Sequence, residues 1–520
     1  MREQGGPAGP EHDPQDLPIM IELADEAATR RLAEDIAMLL GPGDCLCLVG
    51  GLGAGKSTFA RALLRALADD DTLEVPSPTF TLVQSYELAR FPVVHLDLYR
   101  LEDEEEFDEL GLDDVLQTGA ALVEWPERAA SRLPAARLVV RFEEGKAATA
   151  RRASLRASDP VWRARVERTL AIRDLVERAG FSHARRRYFQ GDASPRRYET
   201  VRSGQRNAIL MNAAPPPPQP TLRDGLGYRQ LVHLADGVDA VVAVAEALRA
   251  RNLAAPATLA LDITAGLVLQ EDLGRGAIVE NGSPVPERYL AAAGLLAHLH
   301  QGPPEPVLAL PGSAAPGYLL PEFDIRALMV EAELFLDWYL AGSVAQGDAA
   351  VRQSFARVWR PLLQQAVSGS RNWVLRDFHS PNLIWRDGES GLARLGIVDT
   401  QDAMIGPAAY DVASLAMDAR VDIPPSLERD IVARYVGLRA SADSAFDEQE
   451  FRRQYAIMAA QRATKILGVF RRLAARDGKP AYLVHIPRVR DYLARALAHP
   501  ELQELADWFS AHADIGCGGE

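Results

Sequence analysis

Alternating apolar and polar positions divide the first part of the chain into strands and helices. Apolar residues recur at helical spacing from Ala24 to Leu40, which predicts a helix that ends at the following Gly-Pro-Gly. A buried strand, DCLCLVG, and a helix, AGKSTFARALLRAL, come next. Further strand patterns occur at Val93–Tyr99, Ala121–Trp125, ARLVVRF and RRASLRA, and the acidic segment around EDEEEFDEL is predicted to be helical. This alternation predicts a largely parallel α/β sheet.

The pattern changes at about Asp159. A helix, VWRARVERTLAIRDLVERAG, precedes two strand candidates, YETV and NAILMNA, and a proline-rich segment at 213–220. A proline run favours an extended conformation, so taken alone it fits a linker between domains as well as a loop after a strand. The remainder is mostly helical, with β-like patches at Thr258–Gln270 and LARLGIVDT.

The composition is that of a globular chain with more than one domain. A length of 520 residues exceeds what one core usually serves, and 48% hydrophobic and 25% charged residues are ordinary values. The net charge of −15 disfavours a broad basic surface for nucleic acid. Residues 1–18 are rich in Gly, Pro and acidic residues and are predicted to be a disordered tail. No signal sequence or membrane-length apolar stretch is present, so we expect a cytoplasmic protein without membrane association.

A glycine-rich loop follows the first buried strand and opens the next helix. Gly50 to Ser57 reads G-G-L-G-A-G-K-S, which fits the phosphate-loop pattern G-x-x-x-x-G-K-[ST]. Backbone N–H groups of such a loop converge on phosphate oxygens, the lysine reaches the β and γ phosphates, and the serine hydroxyl binds Mg²⁺. The predicted nucleotide-binding residues are Gly51, Leu52, Gly53, Ala54, Gly55, Lys56, Ser57 and Thr58.

A phosphate loop also needs a carboxylate for the metal and a group that orients the attacking water. Asp97, in HLDLYR, and Glu124, in VEWPE, each lie at the end of a predicted strand. We therefore take these two residues as the candidate catalytic and Mg²⁺-binding carboxylates of the first site. Each carboxylate considered alone could equally be an ordinary surface residue.

Four linked motifs resemble the TsaE family, small ATPases of the bacterial machinery that makes N6-threonylcarbamoyladenosine in tRNA. They are GGLGAGKST, VPSPTFTLVQSY, HLDLYRL and VEWPE, and the resemblance spans about residues 19–158. It implies that Asp97 and Glu124 serve Mg²⁺ and hydrolysis, that Trp125 flanks the site, and that Thr79 lies in a switch-like segment beside the nucleotide. It also implies partner subunits of the threonylcarbamoyl-transfer complex, with tRNA contacted only through those partners. Gly51 stands where the family commonly has Asp, and this departure is expected to affect the rate rather than binding.

A second set of polar residues occurs far along the chain. In LRDFHSPN, Asp377 precedes Asn382 by five positions, and LGIVDTQD places Asp399 seventeen residues further on. This is the spacing of kinase-type phosphotransferases, in which the first Asp accepts the hydroxyl proton and the Asn and second Asp hold Mg²⁺ against the nucleotide phosphates.

Additional motifs make residues 159–507 similar to the aminoglycoside and choline phosphotransferase superfamily. These are LVLQEDLG, where Glu271 and Asp272 mark a hinge beside adenine, GPAAYDVASL, where Asp411 would brace the catalytic loop, and GDASPRRY, the expected nucleotide-covering loop with Arg197. DASPRRY, ILMNAAPPP, EAELFLDWYL and QRATKILGVF look like the kinases that phosphorylate the anomeric hydroxyl of N-acetylmuramate or N-acetylglucosamine. The resemblance implies ATP, Mg²⁺ and an amino-sugar acceptor.

Two departures from this superfamily leave alternatives open. Leu375 replaces the usual His of the catalytic stretch, and no lysine lies between Lys146 and Lys465, so the strand lysine that contacts the α and β phosphates is absent. An arginine can pair with phosphate oxygens instead, and Arg196, Arg197 and Arg206 are the candidates. Alternatives to the amino-sugar kinase are a pseudokinase binding module and a kinase for an aminoglycoside, choline or another hydroxyl acceptor.

The sequence therefore predicts an α/β P-loop NTPase domain followed by an α+β protein-kinase-like (aminoglycoside phosphotransferase-like) domain. The predicted boundaries are a tail at 1–18, the ATPase domain at 19–158 and the phosphotransferase domain at 159–520, with its smaller lobe at about 159–274 and its larger lobe at about 275–520. The predicted function is bifunctional: an ATPase that assists tRNA threonylcarbamoylation and an amino-sugar kinase of cell-wall recycling, both using ATP and Mg²⁺.

Overall fold

The computed structural model describes residues 17–157, 159–189, 196–214, 219–311, 317–341 and 347–513. The predicted tail up to residue 16, most of the predicted nucleotide-covering loop and four residues of the proline run lie outside the described residues. The chain divides into two compact units, one of Met1–Asn212 with Leu259–Gln270 and one of Ala213–Thr258 with Glu271–Glu520. Within the described residues, no helix combines the length and apolar character needed to cross a membrane.

The first ten strands are β1 (Ile19–Leu23), β2 (Cys45–Val49), β3 (Val83–Tyr86), β4 (Val93–Asp97), β5 (Ala120–Glu124), β6 (Leu138–Glu144), β7 (Arg151–Ala157), β8 (Arg185–Phe189), β9 (Arg197–Ser203) and β10 (Arg206–Asn212). The later strands are β11 (Thr221–Arg223), β12 (Leu226–Gly227), β13 (Thr258–Asp262), β14 (Leu267–Glu271), β15 (Val279–Glu280), β16 (Ser283–Pro284), β17 (Val307–Leu308), β18 (Tyr318–Leu319), β19 (Arg371–Val374), β20 (Leu383–Trp385), β21 (Leu395–Ile397) and β22 (Met404–Pro407).

The α-helices are α1 (Glu26–Ala37), α2 (Lys56–Ala68), α3 (Leu112–Leu116), α4 (Pro160–Arg178), α5 (Tyr228–Leu231), α6 (Val238–Ala250), α7 (Pro286–Leu299), α8 (Ile325–Leu334), α9 (Ala349–Ser368), α10 (Ala409–Ala416), α11 (Pro425–Ala442), α12 (Glu448–Ala475), α13 (Ile486–Leu497) and α14 (Gln503–His512). A π-helical turn at Phe335–Tyr339 continues α8.

The first sheet has seven strands in the order β1-β7-β6-β2-β5-β4-β3. Its central strands β6, β2, β5 and β4 are parallel, and antiparallel pairs add β7 and β1 at one edge and β3 at the other. The sheet is therefore mixed, with the predicted parallel arrangement confined to its centre. Alternate residues of β2 enter the cores on its two faces, Leu46 and Leu48 on one and the buried thiols Cys45 and Cys47 on the other.

The acidic segment between β4 and β5 differs from its prediction. Glu104–Leu110 forms a 3₁₀ helix rather than an α-helix, followed by the single short helix α3. Three consecutive glutamates open this 3₁₀ helix, and none of its residues is basic, so it contains no opposite-charge pairs to stabilise an α-helix.

A second sheet of five strands, β13-β14-β10-β9-β8, also belongs mainly to the first unit. Its hydrophobic core includes Ile172, Leu175 and Val176 of α4. A buried ion network joins this layer to α1: the Arg186 guanidinium bonds to both carboxylate oxygens of Glu199 at 2.6 and 2.9 Å and to Asp35 at 2.8 Å. Arg173 of α4 binds the same Asp35 carboxylate at 2.6 and 2.9 Å. Burial alone would lower the pKa of Arg186, but Glu199 and Asp35 raise it above its ordinary value.

Arg186→Met is expected to lower the stability of the first unit by about 3–5 kcal/mol, because two buried carboxylates lose their shared partner. The measurement is the thermal unfolding midpoint of the full chain. Arg178→Met is the matched control: Arg178 lies at the end of α4, and its ion pair with Asp174 is exposed, so a change of less than about 1 kcal/mol is expected. Equal midpoints for the two variants would contradict the importance of the buried network.

The second unit is mostly helical. Its apolar core is built around α12, a helix of 28 residues, with α7, α8, α10 and α13 contributing to the same cluster. Two small antiparallel pairs, β19 with β22 and β20 with β21, carry the segments that connect to the second predicted site.

Candidate functional sites

The phosphate loop spans the turn between β2 and α2. Gly50, Gly53 and Gly55 have φ values of 150°, 73° and 112°. A Cβ atom at Gly50 would approach the carbonyl oxygen of Phe142 to 2.8 Å, so this position requires glycine for space as well as conformation. The loop thus ends at the N-terminus of a 13-residue helix, where unpaired N–H groups favour an anion.

Lys56 lies within its own loop. Its Nζ donates to the carbonyl oxygens of Gly50 at 2.6 Å and Gly51 at 3.0 Å and lies 4.0 Å from the ring centroid of Trp125. Burial lowers the pKa of Lys56, an effect partly offset by Glu124 and Asp97. The ammonium group is therefore held at the loop before any phosphate is bound.

Both candidate carboxylates lie at the ends of neighbouring parallel strands. Asp97 is the last residue of β4, Glu124 is the last residue of β5, and the two are paired in the ladder. Glu124 Oε2 lies 3.5 Å from the Ser57 hydroxyl, and Asp97 Oδ2 accepts from the Thr79 hydroxyl at 2.7 Å. Both carboxylates are almost fully buried, with 3% and 2% exposure. The structure thus gathers the predicted loop, carboxylates and switch threonine into one site.

Trp125 follows Glu124 and changes the direction of the chain. Its φ of 58° is unusual for a bulky side chain, and its N–H donates to the carbonyl oxygen of Leu48 at 3.3 Å. The indole ring lies between Lys56 and Tyr99, whose ring centroid is 5.0 Å away. The structure therefore places Trp125 beside the lysine of the phosphate loop.

Two further residues at this site were not singled out from the sequence. The Ser77 hydroxyl lies 2.7 Å from the Thr79 hydroxyl and 3.4 Å from Asp97 Oδ2. His95, in the middle of β4, places Nε2 3.1 Å from Glu124 Oε1. A polar residue inside the apolar pattern VVHLDLY was the available signal for His95.

The donor set of this site suits Mg²⁺. Ser57, Asp97 and Glu124 offer hydroxyl and carboxylate oxygens, which Mg²⁺ prefers. The described residues contain no cluster of three or more His, Cys, Asp or Glu side chains arranged for a metal.

The second predicted site lies in the second unit, on the segments that follow β19 and β21. The Asn382 side-chain amide donates to the Asp377 carbonyl oxygen at 3.0 Å, and the Asn382 carbonyl oxygen accepts from the N–H of Val398 at 3.0 Å. These bonds bring Asp377, Asn382 and the segment containing Asp399 together. Arg376 and Asp399 have φ values of 71° and 58°, and such sparsely populated conformations cluster at functional sites.

Two buried aspartates hold the backbone of the catalytic loop. Asp411, in the first turn of α10, accepts from the N–H groups of Leu375 at 2.6 Å and Arg376 at 2.9 Å. Asp418 accepts from the N–H of Ser380 at 2.8 Å. Leu375, which stands in place of the expected histidine, is itself buried, so its side chain packs while its backbone is fixed by Asp411.

The surroundings of Asp377 are cationic. Lys465 donates to Glu331 at 2.8 Å, and the Arg376 guanidinium binds the same buried carboxylate oxygen. Arg462 lies 3.9 Å from Asp377. Burial alone would raise the pKa of Asp377, but Lys465, His379, Arg462 and Arg376 together lower it to about 2. The carboxylate is therefore ionised at neutral pH and can accept a proton.

His379 is neutral at the same pH. Burial, together with the Arg420 guanidinium 3.4 Å from both ring nitrogens, lowers its pKa to about 4 against the opposing charge of Asp418. It therefore contributes no charge to the site at neutral pH.

The remaining predicted nucleotide-binding residues belong to the hinge segment and to strands β9 and β10. Glu271 is paired with Arg249 at 3.6 Å, and its backbone N–H already donates to Ala257. Asp272 is paired with Arg275 at 2.6 Å. Arg197 is the first residue of β9, opposite Asn212, and is exposed. Of the other lysine substitutes, Arg206 donates to the Gly180 carbonyl oxygen at 2.9 Å and covers the ring of Phe181.

The geometry defines a chain with two nucleotide-using enzyme domains of unrelated design, an ATPase and a phosphotransferase. Residues 23–153 match the family model "Threonylcarbamoyl adenosine biosynthesis protein TsaE", and residues 185–446 match the model "Phosphotransferase enzyme family". The chain belongs to the TsaE family in its N-terminal part and to the phosphotransferase enzyme family in its larger C-terminal part.

Similar proteins agree with this division. An N-acetylmuramate/N-acetylglucosamine kinase of Caulobacter vibrioides is 36% identical over 361 residues, which cover 67% of this chain and 98% of that protein. A protein of the same description from Pseudomonas aeruginosa is 32% identical over 61% of this chain and 85% of its own length. The tRNA threonylcarbamoyladenosine biosynthesis protein TsaE of Aquifex aeolicus is 45% identical over 20% of this chain and 75% of its own length.

Proposed function

We propose that this protein combines two activities in one chain: ATP hydrolysis in support of tRNA N6-threonylcarbamoyladenosine formation, and ATP-dependent phosphorylation of the anomeric hydroxyl of N-acetylmuramate or N-acetylglucosamine. The first activity would serve partner subunits of a threonylcarbamoyl-transfer complex, with tRNA bound by those partners. The second would act in cell-wall recycling. The relatives named above support both proposals.

In the first site, the loop N–H groups and Lys56 bind the phosphates. Ser57 and the carboxylates Asp97 and Glu124 hold Mg²⁺, which neutralises charge on the phosphate oxygens when bound. Glu124 also orients the attacking water, since its buried position at a strand end fixes its carboxylate beside the loop. The single observation that carries this proposal is the pairing of two buried strand-end carboxylates next to the phosphate loop.

In the second site, Asp377 accepts the proton of the sugar hydroxyl while that oxygen attacks the γ-phosphorus, and ADP leaves. Asn382 and Asp399 hold the Mg²⁺ that supplies charge neutralisation. The observation that carries this proposal is the hydrogen bond from the Asn382 side-chain amide to the Asp377 carbonyl oxygen, which holds the proposed base beside a proposed Mg²⁺ ligand. Retention of all three residues also argues against a pseudokinase.

The choice of an amino sugar as acceptor is supported by the relatives. The matched proteins of Caulobacter vibrioides and Pseudomonas aeruginosa are N-acetylmuramate/N-acetylglucosamine kinases. The cations beside Asp377 are paired with carboxylates, since Arg376 and Lys465 share Glu331 and Arg462 lies 3.9 Å from Asp377 itself.

Phosphorus NMR of the full chain with MgATP should show a sugar-1-phosphate signal with N-acetylmuramate or N-acetylglucosamine. Choline and an aminoglycoside, added in parallel, should yield no phosphorylated product if the acceptor is an amino sugar. Release of ADP and free phosphate in the absence of any acceptor should report ATP hydrolysis at the first site. The same amount of free phosphate and no sugar phosphate with all four acceptors would refute the proposed acceptor class.

A further inference from the structure

His95 is a buried titratable residue that the proposed function leaves without a role. It lies in β4 two residues before Asp97, and its side chain is 1% exposed. Val93, which shares the face of His95 in this strand, is apolar and belongs to the sheet core. A histidine buried on this face requires an explanation, because burying a polar ring without full hydrogen bonding costs free energy.

One ring nitrogen has a partner and the other does not. His95 Nε2 lies 3.1 Å from Glu124 Oε1. Among the described residues no partner lies within hydrogen-bonding distance of Nδ1, which is buried. A carboxylate can only accept, so Nε2 must carry a proton and donate this bond. An apolar side chain of similar size would avoid the unpaired Nδ1, which argues against a role in packing alone.

The hydrogen bond from His95 involves only one of the two carboxylate oxygens of Glu124. Glu124 has two carboxylate oxygens, and Oε1 faces His95 while Oε2 lies 3.5 Å from the Ser57 hydroxyl at the start of α2. Because His95 is held in the sheet, its bond to Oε1 determines that Oε2 is the oxygen that faces the phosphate loop. Carboxylates that act at metal and phosphate sites are commonly oriented by such second hydrogen bonds.

We propose that His95 is a positioning residue that donates from Nε2 to Glu124 Oε1 and thereby holds Oε2 toward the phosphate loop. This inference rests on the proposed function of Glu124 in hydrolysis. His95 itself touches neither nucleotide nor water. Its effect is on the orientation of Glu124 and hence on the rate of hydrolysis rather than on nucleotide binding, which Lys56 and the loop N–H groups provide.

The test compares three substitutions of His95 in the full chain. The glutamine amide reaches as far from the backbone as Nε2 and can donate to Glu124, whereas the asparagine amide reaches only as far as Nδ1 and leucine cannot donate. We expect His95→Asn and His95→Leu to lower kcat for ATP hydrolysis about 10–100-fold. His95→Gln should retain most of the wild-type kcat, and KM for ATP should change little in all three.

Two measurements independent of hydrolysis accompany the kinetics. Titration with a fluorescent ATP analogue should give the same affinity for all variants, and nitrogen NMR of histidine-labelled protein should show the Nε2–H tautomer for the signal that His95→Gln removes. That signal should shift in Glu124→Gln. The inference would be overturned by any of three results. These are a wild-type kcat in His95→Leu, equal losses of kcat in His95→Gln and His95→Leu, and an Nδ1–H tautomer of His95. Full hydrolysis by Glu124→Gln would instead refute the proposed role of Glu124, while the tautomer still reports on the His95 bond.

Discussion

Asp377→Asn is expected to lower sugar phosphate formation about 100-fold to 10,000-fold, the range typical of removing a general base. Asparagine keeps the size of the side chain but cannot accept the hydroxyl proton. The lowered pKa of Asp377, about 2, means that the wild-type group is ionised throughout the neutral range, so the whole effect should be visible at pH 7. The measurement is the initial rate of sugar phosphate formation by phosphorus NMR.

Asp387→Asn provides the matched control for this experiment. Asp387 is exposed and follows β20, close in sequence to the catalytic loop, and the same loss of one carboxylate there should leave the rate unchanged. ATP hydrolysis without sugar should persist in both variants, since it is assigned to the phosphate loop. Sugar phosphate formation by Asp377→Asn at the wild-type rate would show that another group accepts the proton, or that the transfer occurs elsewhere.

The sequence predicted best those features that a short contiguous segment specifies. The phosphate loop needs only glycine spacing between a strand and a helix, and β2 and α2 were both found where the pattern placed them. The acidic ends of β4 and β5 could also be anticipated, because parallel strands bring their carboxyl ends to one edge of a sheet. TsaE and phosphotransferase family membership was likewise confirmed.

Features that depend on distant partners were missed. Strand β8, with three consecutive arginines at Arg185–Arg187, lacks the alternation that marks a strand, and it was not predicted. Its central guanidinium is buried because Asp35, about 150 positions earlier, and Glu199 supply the compensating charges. No local pattern contains that information. The hydrogen bond between His95 and Glu124 was missed for the same reason, since it forms only when β4 and β5 pair.

Lys56→Ala is expected to lower ATP hydrolysis without sugar by on the order of 100-fold or more, because the loop loses the cation that stabilises charge on the β and γ phosphates. In the structure Lys56 donates to the carbonyl oxygens of Gly50 and Gly51, so these bonds must be exchanged for phosphate oxygens when ATP enters. Loss of the lysine contacts with phosphate should also weaken nucleotide affinity, whereas substitutions of His95 should leave that affinity unchanged. The measurements are phosphate release and titration with a fluorescent ATP analogue.

Lys146→Ala is the control, because Lys146 is the other lysine of the N-terminal 158 residues and is exposed. It should hydrolyse ATP at the wild-type rate. We assign ATP hydrolysis to the site that contains Lys56 and sugar phosphorylation to the site that contains Asp377. If the two sites work independently, sugar phosphate formation should be unchanged in both lysine variants. A fall in sugar phosphate formation in Lys56→Ala but not in Lys146→Ala would instead establish that the occupied phosphate loop acts on the kinase. The buried network of Asp35, Arg186 and Glu199 would then be the contact to test next, since it joins α1 to the strand that carries Arg197.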